Sequence, residues 1–368
     1  MMNGDGSRPL RAGLYGAGAF GGFVLQAVTP SSAVGFSAVA SSTKAHAQSL
    51  AQARGLDRVH PSFSSLVEDP DIDLVVIAIP PAEHAAQAEA ALAAGKHVMV
   101  EKPLATTVED AQRLVAAAAS RNLILAVNHP MLYTPLIEGL MLFNASRLVG
   151  PLLRISVENI ASCEGLGDDH WFWDRRLSGG IFVEHGVHFF DWCGRLAGDP
   201  KQAIALTVTH GRREDQVFAA LQHDTGAITS HHHSFVARKA TERTRTTVSY
   251  EGVDIILDGW IATRMHMIGA SAALATTTMR RMLDRRVESI PDARIGFFFD
   301  AGPKAERYAD AVRAAFEDVA RAIREPGHVP RNAAANILPS IRMACAARDA
   351  AASGIAVAID ATKTAARP

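Results

Sequence analysis

The chain has 368 residues, more than one hydrophobic core usually serves, so we expect two domains. Apolar residues make up 48% and charged residues 20%, the composition of a globular protein with ample core material. The formal net charge of -1 provides no global attraction to nucleic acid or an anionic membrane, and we expect neither as a partner.

The cysteine content bears on the compartment. Cys163, Cys193 and Cys345 are far apart and odd in number, which predicts a reducing compartment without a disulfide framework. The first residues lack the apolar core of a signal peptide, and no run is long and apolar enough to span a bilayer. We therefore expect a cytoplasmic protein.

The first part of the chain alternates strands and helices. The pattern starts with a strand in "RAGLYGAG", a helix in "FGGFVLQAVT" and a buried strand in "VGFSAVA". A helix from about Thr43 to Arg54 follows, with Gly55 at its C-terminal end. "DLVVIAIP", "GKHVMV" and "LILAV" supply further strands, separated by helices. This alternation predicts an α/β domain with a doubly wound parallel sheet, a Rossmann fold, over residues 10–128.

The pattern changes after about Pro151. Six segments from "LLRISVENI" to "VDIILDG" alternate apolar and polar residues, which predicts an open, largely antiparallel sheet. Two Ala-rich helices follow, about Lys304 to Arg324 and Arg331 to Ala352, and "GIAVAID" is a candidate edge strand. We expect an α+β domain for substrate binding and oligomerisation over residues 129–360, with the last helices able to pack back on the first domain.

The turn "GAGAFG" has the G-x-G-x-x-G spacing of a dinucleotide site. It lies between a strand and a helix at the first βα turn. Glycines there allow a tight turn and close backbone approach, and the helix N-terminus offers N–H groups to a pyrophosphate. The turn therefore predicts a bound dinucleotide.

The residues after the second strand bear on the type of cofactor. An NAD site usually places a carboxylate there, which accepts hydrogen bonds from the ribose 2′-hydroxyl. Here the sequence is "SSTK", with neutral hydroxyls and the cation Lys44, which favours the 2′-phosphate of NADP. Ser-rich turns also accept NAD, so NAD stays an alternative.

Three ionisable residues interrupt the apolar run "SGGIFVEHGVHFFDW". If the run is helical, Glu184, His188 and Asp191 share one face, whereas His185 points away beside Phe189. Such a stripe is either a solvated helix face or an acid/base pair. For Asp191 we expect a structural role.

The motif "GKHVMVEKPLATT" points to a family. Together with "GAGAFG" and "WFWDRRLSGGIFVEHGVHFFD", its E-K-P residues Glu101, Lys102 and Pro103 resemble the Gfo/Idh/MocA oxidoreductases, named for glucose-fructose oxidoreductase and inositol dehydrogenase. The resemblance covers nearly the whole chain. It implies a Rossmann domain, a C-terminal open sheet, and a sugar or cyclitol substrate held between that sheet and the nicotinamide.

The resemblance also implies residue roles. Lys102 matches the family's catalytic lysine and His188 its catalytic histidine, with Glu184 where Asp is usual and Ser178 in place of a glycine. The predicted catalytic residues are thus Lys102, His188 and Glu184, and the predicted substrate contacts are Lys102, Tyr133, Trp173, Glu184 and His188. The predicted cofactor contacts are Gly16, Gly18, Ala19, Phe20, Gly21, Ser41, Ser42, Thr43, Lys44, Pro80, His84, Glu101, Lys102 and Asn128.

Several of these residues have an alternative interpretation. Asn128 and Tyr133 are either substrate-side contacts or members of a satisfied loop, and Trp173 either stacks on a sugar or belongs to a core. In "HHH", strand alternation puts His231 and His233 on one face and His232 on the other, which disfavours a metal site and leaves a sugar contact from one face.

The functional prediction is an NAD(P)-dependent dehydrogenase or reductase acting on a CH–OH group of a sugar, nucleotide-sugar or cyclitol. Imidazole titrates near working pH and can take the hydroxyl proton, and a lysine stabilises the developing alkoxide. An oxidoreductive glycosidase that retains its cofactor and a non-catalytic NADP sensor are the alternatives. By resemblance, and because an open sheet leaves one face uncovered, we expect a homodimer or homotetramer.

Overall fold

The computed structural model describes residues 8–283, 287–292 and 296–360. It divides into two compact units. The first comprises Met1–Ala105, Glu109–Pro130 and Ala309–Asn336. The second comprises Thr106–Val108, Met131–Tyr308 and Ile337–Pro368.

The first unit is built on a parallel sheet. Its described strands follow the order β3-β2-β1-β4-β5-β6, and every neighbouring pair is parallel, so the predicted doubly wound sheet is confirmed. The strands are β1 (Leu10–Tyr15), β2 (Val34–Ala40), β3 (Arg58–His60), β4 (Leu74–Ile77), β5 (His97–Glu101) and β6 (Leu125–Asn128). The helices between them are α1 (Ala19–Val28), α2 (Lys44–Arg54), α3 (Phe63–Val67), α4 (His84–Ala93) and α5 (Val108–Ala119).

Local sequence explains these boundaries. All four residues of β4 are buried, as expected for a central strand covered on both faces. Gly55 ends α2 in the left-handed region at φ 65°, where glycine has no steric penalty. The short strand β3 and helix α3 were not predicted, because each is too short to show a clear periodicity.

A late segment, residues 309–336, belongs to the first unit. Within it, Phe316 contacts Phe36 with ring centroids 6.1 Å apart. Arg324 donates to the carbonyl oxygens of Arg8 and Ala33, and Asn332 donates from Nδ2 to the Val127 carbonyl over 2.9 Å. These contacts join the late segment to the strands of this unit.

The second unit is built on a mixed sheet. Among the described residues its strand order is β14-β15-β13-β12-β11-β7-β10-β9-β8-β16. The strands are β7 (Leu152–Ser162), β8 (Pro200–His210), β9 (Arg213–His223), β10 (Ile228–Ala237), β11 (Arg243–Tyr250), β12 (Asp254–Asp258), β13 (Arg264–Ile268), β14 (Glu288–Asp292), β15 (Gly296–Asp300) and β16 (Val357–Ala358). The largely antiparallel sheet is confirmed, with one exception: β10 pairs with β7 in parallel.

Helices complete this unit and the C-terminal part of the chain. They are α6 (Pro135–Ser146), α7 (Arg175–Ser178), α8 (Val187–Ala197), α9 (Ala272–Met282), α10 (Lys304–Arg324) and α11 (Ala334–Ser353). Helix α8 contacts β7 and β10 and covers one face of the sheet. The predicted last strand is confirmed as β16, which pairs with β8 at the sheet edge.

Some elements differ from the prediction. The sequence did not indicate six elements of this unit, namely α6, α7, β13, α9, β14 and β15. The last helix begins at Ala334 rather than Arg331 and contains Pro339. In the described part of the chain, no helix combines the length and hydropathy needed to cross a membrane.

Candidate active-site elements

The glycine turn after β1 assigns a distinct steric role to each glycine. Gly16 has φ +117°, and a Cβ there would lie 2.1 Å from the Ala78 carbonyl oxygen. A Cβ on Gly21 would lie 2.2 Å from the Gly16 oxygen, so this glycine allows α1 to approach β1. A Cβ on Gly18 would have no described atom within 4 Å, so the backbone of this residue faces open space. A dinucleotide fits this pattern, because its pyrophosphate needs an approachable backbone at the second glycine.

The N-terminus of α1 offers hydrogen-bond donors. Gly18 is its N-cap residue and has no side chain to accept from the first N–H groups, and the first turn has no acidic residue. Ala19 and Phe20 form this turn and are exposed. Backbone N–H groups and the helix dipole favour an anion here, so the turn suits a phosphate.

The turn after β2 has no carboxylate. Ser41 is half-buried and its Oγ accepts from the Thr43 N–H over 3.4 Å. Ser42, Thr43 and Lys44 are exposed, and α2 begins at Lys44 with no acidic residue in its first turn. The exposed hydroxyls of Ser42 and Thr43, a helix N-terminus and the Lys44 ammonium group therefore lie at the position expected for the adenosine ribose.

Two polar side chains meet at the carboxyl ends of β5 and β6. Asn128 donates from Nδ2 to Oε1 of Glu101 over 2.6 Å, and both residues are buried. Burial raises the pKa of Glu101 to about 8, although the Asn128 hydrogen bond and the charge of Lys102 act in the opposite direction. The Oδ1 atom of Asn128 is buried and has no hydrogen-bond partner among the described residues. A cofactor amide could donate to it, so this orphaned acceptor also fits a nicotinamide nucleotide.

Lys102 and His84 lie near these strand ends. Lys102 directly follows β5 and is half-buried, at the edge of the sheet where ligands of such folds bind. His84 is fully buried, with Nδ1 2.6 Å from the Pro103 oxygen and Nε2 2.8 Å from the Ile79 oxygen. His84 thus joins the loops after β4 and β5, and a cofactor contact by this residue stays a prediction. Pro80 is half-buried at the start of the short 3₁₀ turn before α4.

In the second unit, a pair of left-handed glycines leads into the Glu184 segment. Gly179 and Gly180 have φ +84° and +86°, which favours glycine at both positions. Ser178 is the last residue of α7; its Oγ donates to the Asp174 oxygen and accepts from the Gly180 N–H. Because this position is helical, a serine fits where the resemblance described above implies a glycine.

The next residues form a π-helix, not the α-helix assumed in the sequence analysis. It covers Phe182–Gly186 and is followed directly by α8. Glu184, His188 and Asp191 are only 7%, 4% and 3% exposed, so a solvated stripe is excluded. Single π turns of this kind are frequently found at functional sites. Asp191 accepts from Nε of Arg195 over 3.1 Å, in keeping with a structural role.

His188 has aromatic neighbours that the sequence analysis did not identify. Its ring lies 5.3 Å from Trp260 at 89°, and 6.4 Å from His185 at 79°. His185 also contacts Phe189 as predicted, at 5.8 Å, and lies 2.8 Å from Oδ1 of Asn159. The only sequence signal for Trp260 was its place after a glycine at a strand end.

The other predicted substrate contacts are buried. Tyr133 is 3% exposed and Trp173 is 9% exposed. Trp173 packs edge-to-face on Phe172 at 4.8 Å, and the guanidinium of Arg213 lies 5.1 Å from its ring centroid. These contacts leave little of the Trp173 ring for a sugar and favour the core interpretation.

The three consecutive histidines alternate as predicted. His231 and His233 are fully buried under α8, where they contact Phe190 at 4.4 Å and Phe189 at 5.0 Å, while His232 is half-buried on the opposite face. A sugar contact from the face of His231 and His233 is therefore excluded by burial. Over residues 8–283, 287–292 and 296–360, no group of three or more His, Cys, Asp or Glu side chains is placed to hold a metal ion.

Comparison with family models now defines the class of protein. Residues 10–129 match the oxidoreductase family, NAD-binding Rossmann fold, and residues 149–252 match the GFO/IDH/MocA C-terminal domain. The chain belongs to the Gfo/Idh/MocA oxidoreductase family.

In sequence, two individual relatives each match about half of the chain. A 1,5-anhydro-D-fructose reductase of Ensifer adhaerens is 30% identical over 196 residues, 50% of this chain and 57% of that protein. A dTDP-3,4-didehydro-2,6-dideoxy-alpha-D-glucose 3-reductase of Saccharopolyspora spinosa is 32% identical over 182 residues, 49% of this chain and 54% of that protein. The chain thus spans just over half the length of these relatives. A levoglucosan dehydrogenase solved with NADH and levoglucosan shares the fold, with a TM-score of 0.81, 21% identity, and coverage of 96% of this chain and 100% of the other.

Proposed function

We propose that this protein transfers a hydride between a nicotinamide cofactor and a secondary alcohol or ketone of a sugar, nucleotide-sugar or cyclitol. The observation that carries the proposal is the glycine turn, where Gly16 and Gly21 are sterically required and Gly18 leaves the N-terminus of α1 open to a pyrophosphate. Family membership and the reductase relatives support the reaction class and the substrate class.

The proposed chemistry assigns separate tasks to three side chains. When bound, the nicotinamide supplies the hydride acceptor or donor. In the oxidative direction, His188 takes the hydroxyl proton as the C–O bond becomes a carbonyl, and the ammonium of Lys102 stabilises the developing negative charge on that oxygen. Glu184 orients His188 or contacts the substrate. In the reductive direction His188 returns the proton.

We propose NADP as the preferred cofactor. The exposed hydroxyls and Lys44 after β2, and the uncapped first turn of α2, are donors and positive charge suited to a 2′-phosphate. This segment contains no carboxylate, so it has no side chain that would accept a hydrogen bond from a 2′-hydroxyl and none that would repel a 2′-phosphate.

A pair of glycine substitutions tests the cofactor site. Gly18→Ala has space for its methyl group in the protein, so folding should be retained, but the methyl group would occupy the path of the pyrophosphate. We expect a cofactor dissociation constant raised roughly tenfold or more, the scale of losing a close backbone contact. Gly22→Ala is the matched control, since its Cβ would make an ordinary contact at 3.6 Å with Leu50. Equal cofactor affinity in both variants and the parent protein would contradict the assignment of this turn.

A substrate screen tests the reaction. Sugars, nucleotide-sugars and cyclitols, with their ketones, are incubated with each nicotinamide cofactor while absorbance at the reduced nicotinamide band is followed. Net oxidation or reduction of the cofactor supports the proposal. Aglycone release without net redox change identifies the glycosidase alternative, and absence of turnover across the panel identifies a cofactor-binding sensor; either result overturns the proposed reaction.

We propose that a second copy of this chain binds the sheet face opposite α8, giving a homodimer or homotetramer. At the β8–β10 end this face presents the exposed side chains Ile204, Leu206, Val208, Phe218 and Ile228. Toward β11 and β12 it alternates charge, with the ion pairs Glu158–Arg243 and Arg245–Asp258. Two copies related by a two-fold rotation would each present this same surface. They could bury the apolar area against each other and pair the alternating charges with charges of opposite sign.

Light scattering tests the assembly. We expect a mass at least twice the 39.2 kDa of the chain, reduced toward that value by Leu206→Glu. Val329→Glu is the control, because Val329 is similarly exposed but lies in the first unit. A monomeric parent protein at micromolar concentration would contradict the proposal.

We also propose a reducing compartment such as the cytoplasm. It is supported by Cys163, Cys193 and Cys345, none of which forms a disulfide in the described part of the chain.

A further inference from the structure

Trp260 makes an edge-to-face contact with His188. The two ring centroids are 5.3 Å apart and the planes meet at 89°, a geometry in which the quadrupole of one ring attracts the edge of the other. His188 is 4% exposed, so little solvent competes with this contact. Both residues belong to the second unit.

The position of Trp260 is set by the turn between β12 and β13. Gly259 precedes it at φ +104°, and a Cβ there would lie 2.8 Å from the Ile261 oxygen. The Gly259 N–H donates to the Thr244 oxygen, and the Thr263 N–H donates to the Asp258 oxygen. The second of these bonds closes the turn, and the first joins it to β11.

The indole also contacts residues at the N-terminal end of α10. Tyr308 packs edge-to-face on it at 5.1 Å and 84°. The ammonium of Lys304 lies 5.7 Å from its ring centroid, within the range of a cation–π interaction. The indole thus has contacts that restrain it independently of His188.

We propose that Trp260 is a positioning residue for His188. The inference rests on the proposed function, in which His188 moves the substrate proton. A restrained aromatic ring limits rotation of the imidazole and keeps the proton-accepting nitrogen aimed at the reacting oxygen. The rate of proton transfer depends steeply on such alignment, and a misplacement of about 1 Å can cost roughly a hundredfold in rate.

The contact acts through the ring and not through a hydrogen bond. The indole Nε1 atom is buried and has no hydrogen-bond partner in the described part of the chain. Phenylalanine retains an aromatic face without an N–H group, whereas leucine retains apolar bulk only. The proposal therefore predicts that Trp260→Phe preserves the function of His188 and Trp260→Leu does not.

Kinetics provides the first test. We expect Trp260→Leu to lower kcat roughly tenfold or more with KM and cofactor affinity changed less, and Trp260→Phe to stay within about threefold of the parent protein. If His188→Ala itself retains activity, the proposed function fails. If His188→Ala loses activity while Trp260→Leu keeps it, this inference alone fails.

Nuclear magnetic resonance of ¹³C-labelled histidine provides a second test that needs no activity. The signal of His188, assigned by its loss in His188→Gln, should shift in Trp260→Leu because the ring current of the indole is removed, and should shift less in Trp260→Phe. Trp171→Leu is the matched control: Trp171 lies 5.3 Å from His170, so this variant should move the His170 signal and leave that of His188 unchanged. An unmoved His188 signal in Trp260→Leu overturns the inference.

Discussion

Asn128 and Glu101 are joined by a 2.6 Å hydrogen bond between the ends of neighbouring parallel strands, and the carboxyl group is buried deeply enough to change its protonation. Burial raises the pKa of Glu101 to about 8, so this group is mostly neutral at pH 7. A neutral carboxyl adds no negative charge beside Lys102, whose ammonium is proposed to stabilise an oxyanion.

The contribution of Glu101 to the stability of the protein should fall as pH rises from 6 to 8. A carboxyl group with a raised folded pKa binds its proton more tightly in the folded state, so its contribution is present at low pH and is lost as pH rises toward that pKa. We expect a loss of roughly 2 kcal/mol in the free energy of unfolding from this group. The change in the free energy of unfolding between pH 6 and pH 8, measured by urea unfolding, should therefore be more favourable in Glu101→Gln than in the parent protein by about this amount. Glu109→Gln, on an exposed carboxylate, should behave as the parent protein, and the same pH dependence in Glu101→Gln would contradict the assignment.

Cofactor preference should follow the charge after β2. We expect NADPH to bind more tightly than NADH, and Lys44→Met to weaken NADPH binding roughly tenfold with little effect on NADH, the scale of one charge-assisted hydrogen bond. Ser41→Asp should reverse the preference, because a carboxylate accepts from a 2′-hydroxyl and repels a phosphate. Titration by quenching of protein fluorescence measures both constants. Lys201→Met changes an exposed lysine in the second unit and is the control. If the parent protein binds both cofactors equally, the residues after β2 do not distinguish a 2′-phosphate from a 2′-hydroxyl, and the prediction is contradicted.

Loss of either proposed catalytic residue should lower turnover strongly. We expect Lys102→Met and His188→Ala each to reduce kcat by roughly a hundredfold or more, the scale of losing oxyanion or acid–base assistance, with little change in cofactor affinity. Glu184→Gln should reduce kcat less, because it retains the shape of the side chain and removes only its charge. Steady-state kinetics on the substrate found in the screen decides this. A folded His188→Ala protein with near-parental turnover would eliminate His188 as the proton-transfer group and leave Lys102 or Tyr133 as the next candidate.

Two buried histidines should make the protein sensitive to acid. Burial lowers the pKa of both His231 and His233 well below the usual value, and the charge of the neighbouring histidines adds to the effect. The unfolded chain therefore binds more protons, so their contribution to stability is present above about pH 6.5 and is lost as pH falls below it. Thermal unfolding at pH 7.5 and pH 5.5 should show a smaller decrease in Tm for His231→Leu than for the parent protein. His46→Leu, at an exposed position, should show the parental decrease; identical decreases in all three would contradict the prediction.

Several features could be predicted from sequence because neighbouring residues encode them. The glycine spacing between a strand and a helix predicted a turn whose three glycines have the expected steric roles. Continuous apolar runs separated by helices predicted the parallel sheet, and strand alternation predicted opposite faces for His231 and His232. Hydrophobic periodicity and turn-forming residues are local signals that extend over a few residues, so they can be recognised in a single sequence.

Other features were decided only by tertiary packing. The sequence left open whether the Glu184 stripe faces solvent; α8 and the sheet bury it, and a π turn changes its spacing. Burial of His231 beneath α8, the parallel pairing of β10 with β7, and the contact between Trp260 and His188 each join segments that are distant along the chain. The sequence by itself determined the longer, strongly patterned strands and helices and the nucleotide-binding turn, because those depend on local backbone preference. Which side chains meet depended on how the helices cover the sheet, since burial and long-range contacts are properties of the packed chain and not of any short segment.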